Sequence, residues 1–151
     1  ERNFMKNRHV SWVSTNNVFY LKSALDKNLH FSKNVTKYGY GEDQLFFSKL
    51  SNFKKTIRWN NNPVFEIAQK KRENIKWFME RNYKYGLTGI LIDRELYGFI
   101  SAIFLNIFKA LLNLSRSFLY LLLIPFKPIV NFYFSFAYFL RFIGRVVNIF
   151  G

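Results

Sequence analysis

The pattern of hydrophobic and polar residues changes once along the chain, near residues 93–96. Before this point, short apolar runs are interrupted by charged and Asn-rich segments. After it, apolar and aromatic residues dominate, and the longest charge-free runs, Leu96–Phe108 and Pro128–Leu140, are 13 residues each. All nine acidic residues lie at or before Glu95. The sequence therefore predicts two regions of unlike chemistry, 1–95 and 96–151.

The first region contains three segments that predict β-strands. Residues 9–14 alternate between polar and apolar types, which is typical of a strand with one buried face. The runs 55–59 and 63–67 are rich in strand-forming residues and flank the turn Asn60-Asn61-Asn62. Because helical patterns occur between these segments, the region as a whole predicts an α/β fold class.

Three helices are predicted in the same region. Residues 19–25 form a short candidate, and 42–50 form a better one because its acids fall in the first turn and Lys49 near its end. The third runs from 73 to 85 and is expected to end at Gly86. Ile75, Phe78, Met79 and Asn82 are predicted to share one stripe of this helix. Two glycines in the loop 37–41 permit unusual backbone angles before the second helix.

The second region predicts a pair of apolar helices separated by Pro125 and Pro128. A membrane-spanning helix needs about 20 apolar residues, so the charge-free runs are short for a span. A polar stripe follows helical spacing at Lys109, Asn113 and Arg116. This pattern favours a helical hairpin in the membrane interface, with basic side chains reaching the lipid phosphates. Two true spans and a buried helix pair are the alternatives.

Net charge and cysteine content narrow the classes of partner and site. The net charge of +14 and the isoelectric point near 10.1 indicate an anionic partner, although a coding bias toward Lys, Asn, Ile and aromatic residues explains part of the charge. The absence of cysteine excludes disulfides, zinc–thiolate sites and a cysteine nucleophile. Neither His9 nor His30 has a partner at metal-ligand spacing, so no metal site is assigned.

Several short motifs follow one another along the first region. They are Ser14-Thr15-Asn16-Asn17, Gly41-Glu42-Asp43-Gln44, Ile57-Arg58-Trp59, Val64-Phe65-Glu66, Lys71-Arg72 with Trp77, and Arg81 to Gly86. In this order they resemble family 2 glycosyltransferases, especially bacterial enzymes that build exopolysaccharide or lipopolysaccharide. The resemblance covers residues 12–86, and the Gly-Arg pair at 144–145 resembles the close of some such enzymes. It implies the C-terminal, acceptor-side half of a GT-A glycosyltransferase domain at 1–95, followed by a membrane-associated helical tail at 96–151.

The resemblance implies that Asp43 is the catalytic base and that Glu42 shapes the site. An inverting transfer is one displacement at the anomeric carbon, so it needs one carboxylate to take the proton of the acceptor hydroxyl. The flanking Gly41 lets substrate approach the backbone closely. The alternative is that both acids only stabilise the start of a helix.

The remaining candidate residues are expected to bind substrate. Arg72 would stabilise the charge of a leaving diphosphate, and Trp77 offers an apolar face to a sugar ring. Their spacing of five departs from the Gln-x-x-Arg-Trp pattern of processive synthases and favours single-sugar transfer. By the resemblance, Thr15, Asn16 and Asn17 lie between the donor and acceptor sides, where amide groups suit sugar hydroxyls. The alternatives are a solvated basic face with a core Trp, and a plain turn.

The motif that holds Mg²⁺ or Mn²⁺ on the donor diphosphate in this family, Asp-x-Asp, does not occur in the chain. Together with a first residue that is not Met, this predicts a fragment whose donor-binding half precedes Glu1, and which is inactive alone. A metal is still expected in the full enzyme. Glu66 is a weak candidate ligand.

On this hypothesis the partners are a nucleotide-sugar donor, a glycan or lipid-linked acceptor and anionic membrane lipid, at the cytoplasmic face of a bacterial inner membrane. One alternative is a non-catalytic basic protein that binds the membrane surface. Another is a nucleic-acid binder, suggested by Lys residues interleaved with aromatic ones. It leaves the apolar tail unexplained, so no nucleic-acid partner is predicted.

Overall fold

The computed structural model describes Val18 and the ranges 29–52 and 70–150. Of these residues 84% are helical, and they contain no strand. The chain divides into two compact units, 1–67 and 68–151, so the change in composition at 93–96 falls inside the second unit.

The predicted α/β fold class, with the acceptor-side half of a GT-A domain, is therefore wrong, because every regular element described is a helix. The segments predicted as strands, 9–14, 55–59 and 63–67, lie outside the described residues, and so does the candidate helix 19–25. The helices that are described bury their polar groups and small residues against one another and need no sheet to cover them.

The first unit contains two described helices, α1 (Lys33–Thr36) and α2 (Glu42–Asn52). The predicted helix at 42–50 is thus confirmed. Its core side chains Phe46, Phe47 and Leu50 pack together, with Val18 and Leu29 against them. The two positive-φ glycines of the connecting loop, Gly39 at 69° and Gly41 at 86°, confirm that this loop needs backbone angles that other residues disfavour.

The second unit begins with a short 3₁₀ helix, Lys70–Glu73, followed by α3 (Ile75–Tyr97). The side chain of Asn74 starts α3 by accepting the Lys76 N–H at 2.8 Å. The predicted end at Gly86 is wrong because the helix continues through Gly86 and Gly89 to Gly98. The predicted stripe is also partly wrong: Asn82 is buried, but Ile75 and Met79 are exposed.

Two further helices form the predicted hairpin, α4 (Phe99–Leu122) and α5 (Pro128–Phe150), with Pro128 at the first position of α5. A pair of serines joins them: Ser117 Oγ donates to the Ser135 carbonyl at 2.9 Å, and Ser135 Oγ donates to the Ser117 carbonyl at 2.9 Å. Buried alanines at 102, 110 and 137 allow the helices to approach closely. Helix α3 packs on both, so the unit is a three-helix assembly.

Candidate functional site

The predicted catalytic carboxylates lie in the first turn of α2. Asp43 is half-buried, and its Oδ1 accepts the backbone N–H of Gln44 at 2.8 Å. Its other oxygen has no hydrogen bond to any described residue, which leaves that atom able to accept a proton. Glu42 has a buried Oε2 that also lacks a hydrogen-bond partner in the described part of the chain.

Gly41 immediately precedes this turn and is buried, with φ at 86°. A side chain here would be strained, so glycine is required by the backbone conformation itself. This backbone conformation accounts for the position of Glu42 and Asp43 in the first turn of α2.

The predicted substrate-binding pair lies in the second unit. Arg72 is exposed in the 3₁₀ helix, and Trp77 is half-buried in the first turns of α3. The guanidinium carbon of Arg81 lies 4.8 Å from the centre of the Trp77 ring, so an arginine already occupies one face of that ring. Thr15, Asn16 and Asn17 lie outside the described residues, and so does Glu66.

A buried ion cluster joins all three long helices. Asp93 of α3 is 3% exposed, with Lys109 Nζ 2.6 Å from Oδ1 and Arg145 Nη1 3.7 Å from Oδ2. Arg145 also donates to Asn106 Oδ1 at 2.7 Å, and the Asn106 amide donates to the Arg145 carbonyl at 3.0 Å. Burial lowers the pKa of Arg145, and the negative charge of Asp93 opposes that effect. The single carboxylate of Asp93 thus compensates the positive charges of both Lys109 and Arg145.

A second polar group in the same unit has cations and aromatic rings but no acid. We call it the arginine–tyrosine cluster, and it consists of Arg81 and Tyr85 from α3, Arg116 from α4, and Tyr138 and Arg141 from α5. The Tyr85 ring centre lies 5.4 Å from the Arg81 guanidinium carbon and 5.6 Å from that of Arg141. The Tyr138 ring centre lies 5.3 Å from Arg141 and 5.7 Å from Arg116.

Hydrogen bonds hold two of these arginines in place. Arg81 donates to the Tyr85 hydroxyl from Nε at 3.3 Å and from Nη2 at 3.0 Å. Arg141 Nε donates to the side-chain oxygen of buried Asn82 at 2.9 Å. Burial lowers the pKa of the Arg141 guanidinium; the neighbouring Tyr138 and Tyr85 oppose that effect, and the positive charges of Arg81 and Arg116 add to it. The cluster therefore concentrates positive charge at a partly desolvated position.

The outer surface of α4 and α5 carries most of the exposed large apolar side chains. Of those exposed in the described residues, all but Phe31, Ile75, Met79 and Tyr97 lie between 99 and 147. Helix α4 is the one described helix that is long and apolar enough to cross a membrane, by length and composition alone, and 17% of its most apolar window is buried. At 1.5 Å per residue its 24 residues reach about 36 Å.

The described residues offer no group of three His, Asp or Glu side chains that would hold a metal ion. The Mg²⁺ or Mn²⁺ that the glycosyltransferase resemblance implies is thus not matched by a ligand set in this part of the chain. An open apolar groove of about 280 Å³ runs along the α4–α5 seam, over Ser117 and Ser135 and between Phe118, Phe132 and Phe139. None of the predicted site residues lines this groove.

Sequence reasoning missed both polar clusters of the second unit. The sequence predicts one polar stripe that includes Lys109 and Arg116, but it does not predict that Lys109 pairs with Asp93 or that Arg116 packs on Tyr138. The i, i+4 spacing of Arg81 and Tyr85, and the i, i+3 spacing of Tyr138 and Arg141, are the available signals that these residues share helix faces. The pairing between helices has no such local signal.

Comparison with known proteins finds no match: no family model, no curated protein and no solved structure is similar to this chain.

Proposed function

We propose that the chain is the acceptor-side part of a membrane-associated enzyme that transfers one sugar from a nucleotide-sugar donor to a glycan or lipid-linked acceptor, with inversion. The observation that carries this proposal is the Asp43 carboxylate, half-buried in the first turn of α2, with one oxygen on the Gln44 N–H and the other without a hydrogen bond to any described residue. The order of the sequence motifs around Asp43 is what indicates sugar transfer as the reaction class.

In the proposed reaction the acceptor hydroxyl attacks the anomeric carbon while the bond from that carbon to the diphosphate oxygen breaks. Asp43 takes the hydroxyl proton, and the nucleoside diphosphate leaves with the bonding electrons. The hydrogen bond from the Gln44 N–H holds the carboxylate at the start of α2. A divalent cation in the full enzyme would neutralise the leaving diphosphate.

Membrane association is the second part of the proposal. The exposed phenylalanines and leucines of α4 and α5 present far more apolar surface than a soluble monomer usually leaves in water. We place these two helices in the membrane interface, at the cytoplasmic face of a bacterial inner membrane, where an enzyme meets both a soluble donor and a lipid-linked acceptor.

The decisive experiment replaces Asp43 by asparagine in the full-length protein and measures sugar transfer from a nucleotide-sugar donor. Asp43→Asn keeps the shape and the hydrogen bond from Gln44 but removes the base, so we expect transfer to fall by about 100-fold or more while the far-ultraviolet circular dichroism is unchanged. The matched control is Glu80→Gln, which neutralises an exposed carboxylate on α3 and should leave transfer unaltered. Normal transfer by a folded Asp43→Asn protein rules out the assignment.

The second candidate function is a non-catalytic basic protein that binds the membrane surface. The arginine–tyrosine cluster and the exposed apolar side chains favour it, since neither needs a catalytic carboxylate. It predicts that the full-length protein has no transferase activity with any nucleotide-sugar donor, and that the protein with Asp43 replaced floats with anionic vesicles as strongly as the wild type.

A further inference from the structure

The cations of the second unit are arranged in two different ways. Asp93 pairs with Lys109 and Arg145, which gives these charges a buried counter-ion of their own. Arg81, Arg116 and Arg141 are joined through two tyrosine rings, and none of the three forms an ion pair with a described residue. Glu80 lies next to Arg81 in sequence, but its carboxylate bonds to Lys84 instead.

Bringing like charges together in a partly desolvated place costs free energy unless an anion compensates for it. The tyrosine rings offset part of this cost through cation–π contacts, which cover a guanidinium face and leave its N–H edges available. Most of those N–H groups make no hydrogen bond to a described residue. Arg141 donates only from Nε, to Asn82, and Arg116 makes no hydrogen bond within the described residues.

We propose that the arginine–tyrosine cluster is a binding site for a phosphate group. Guanidinium groups present planar pairs of N–H donors that match phosphate oxygens, and several arginines around one position form a typical phosphate-binding arrangement. Tyr85 lies between Arg81 and Arg141, and Tyr138 lies between Arg141 and Arg116, so the two rings link the three arginines into one continuous group. The phosphate belongs either to a lipid headgroup or to a soluble phosphate compound. This proposal is independent of sugar transfer by Asp43.

The test uses the full chain and one exposed arginine. Arg116 makes no described contact except with Tyr138, so Arg116→Gln should leave the fold intact, which a thermal unfolding curve checks. The matched control is Lys127→Gln, an equally exposed cation in the α4–α5 turn that changes net charge by the same amount. Arg116→Lys is the third variant, because it keeps the charge but loses the forked donor geometry.

Two probes distinguish the sources of phosphate. One arm measures flotation with phosphatidylcholine vesicles containing phosphatidylglycerol, against phosphatidylcholine alone. The other titrates inorganic phosphate into protein in zwitterionic detergent and follows the heat released. In at least one arm we expect Arg116→Gln to weaken binding about tenfold, Arg116→Lys to weaken it measurably, and Lys127→Gln to change it less than about fivefold.

The pattern of losses across the two arms identifies the ligand. A selective loss with vesicles alone identifies a lipid headgroup, and a selective loss with inorganic phosphate identifies a soluble compound; both support the site. Equal effects of Arg116→Gln and Lys127→Gln in both arms overturn it, because binding would then depend only on net charge. Absence of binding by the wild-type chain in both arms also overturns it.

Discussion

Replacing Gly86 by alanine tests whether close backbone contact between α3 and α5 holds the second unit together. A methyl group at Gly86 would lie 2.8 Å from the Gly144 Cα and against the Arg141 carbonyl oxygen, well inside the 3.5–4.0 Å separation that carbon atoms prefer. Both neighbours are backbone atoms, so no side chain can rotate away. The two helices must separate, which also stretches the 2.9 Å hydrogen bond between Arg141 and Asn82.

The magnitude combines three terms. Overpacking costs about 1–3 kcal/mol. Weakening a hydrogen bond to a charged donor costs about 1.5–3 kcal/mol at most. The change from glycine to alanine inside a helix returns about 1 kcal/mol. The net loss of unfolding free energy is about 2 kcal/mol, which corresponds to a fall in Tm of roughly 10 °C for a unit of this size.

The assay is thermal unfolding of the full chain in detergent micelles, followed by far-ultraviolet circular dichroism. Gly89→Ala is the matched comparison, since it carries the same helix-propensity gain on the same helix, but its methyl group would meet the guanidinium of Arg145. A side-chain end can shift, so Gly89→Ala should cost less than Gly86→Ala. A Tm for Gly86→Ala equal to or above that of the wild type would refute the close crossing of α3 and α5.

Two further predictions concern the charged groups of α3. Asp93→Ala should lower the unfolding free energy by about 3–5 kcal/mol, because it leaves Arg145 buried without a counter-ion. Lys109→Ala should lower it less, because Lys109 is 38% exposed. Chemical denaturation of both variants measures the two losses. The hydrogen bond from Lys84 holds the pKa of Glu80 below its ordinary value of 4.5, so the small stabilisation by this pair is present above that pH and is lost as the pH falls through the folded-state pKa. A carboxyl-carbon NMR titration of Glu80 with a midpoint at or above 4.5 would contradict the pairing, and Glu80→Gln should move the Tm very little because the pair is exposed.

Local rules predicted the parts of the fold that depend on local signals. Acids in the first turn marked the start of α2, and Pro125 and Pro128 marked the break between α4 and α5. The same rules were wrong about Gly86, where a glycine near the end of a polar helical pattern was interpreted as a C-terminal signal. Its role is steric: it allows α3 and α5 to touch, and a contact between residues this far apart in sequence leaves no mark near Gly86.

The fold class and the polar clusters could not be predicted for a related reason. The α/β interpretation depended on short alternating segments, whereas the described fold depends on which faces of three long helices meet. For the candidate site, local sequence placed Asp43 in the first turn of its helix correctly. Local sequence did not indicate that Trp77 packs against Arg81. That contact covers a face of the ring that the resemblance assigns to a sugar.

The change in composition near residues 93–96 does not show that α3 packs with α4 and α5. By composition alone, most of α3 belongs to the charged first region, and α4 and α5 form a separate apolar tail. In the structure, Asp93 forms ion pairs with Lys109 and Arg145, and the Asn82 side chain accepts a hydrogen bond from Arg141. An apolar hairpin that carries inward-facing cations needs a third helix to supply their partners, because each buried charge requires compensation near its own position. Helix α3 supplies the Asp93 carboxylate at one level, whereas at the other it supplies the neutral side chains of Asn82 and Tyr85 and a further cation, Arg81. The level without a carboxylate is where we expect an anion from outside the chain to bind.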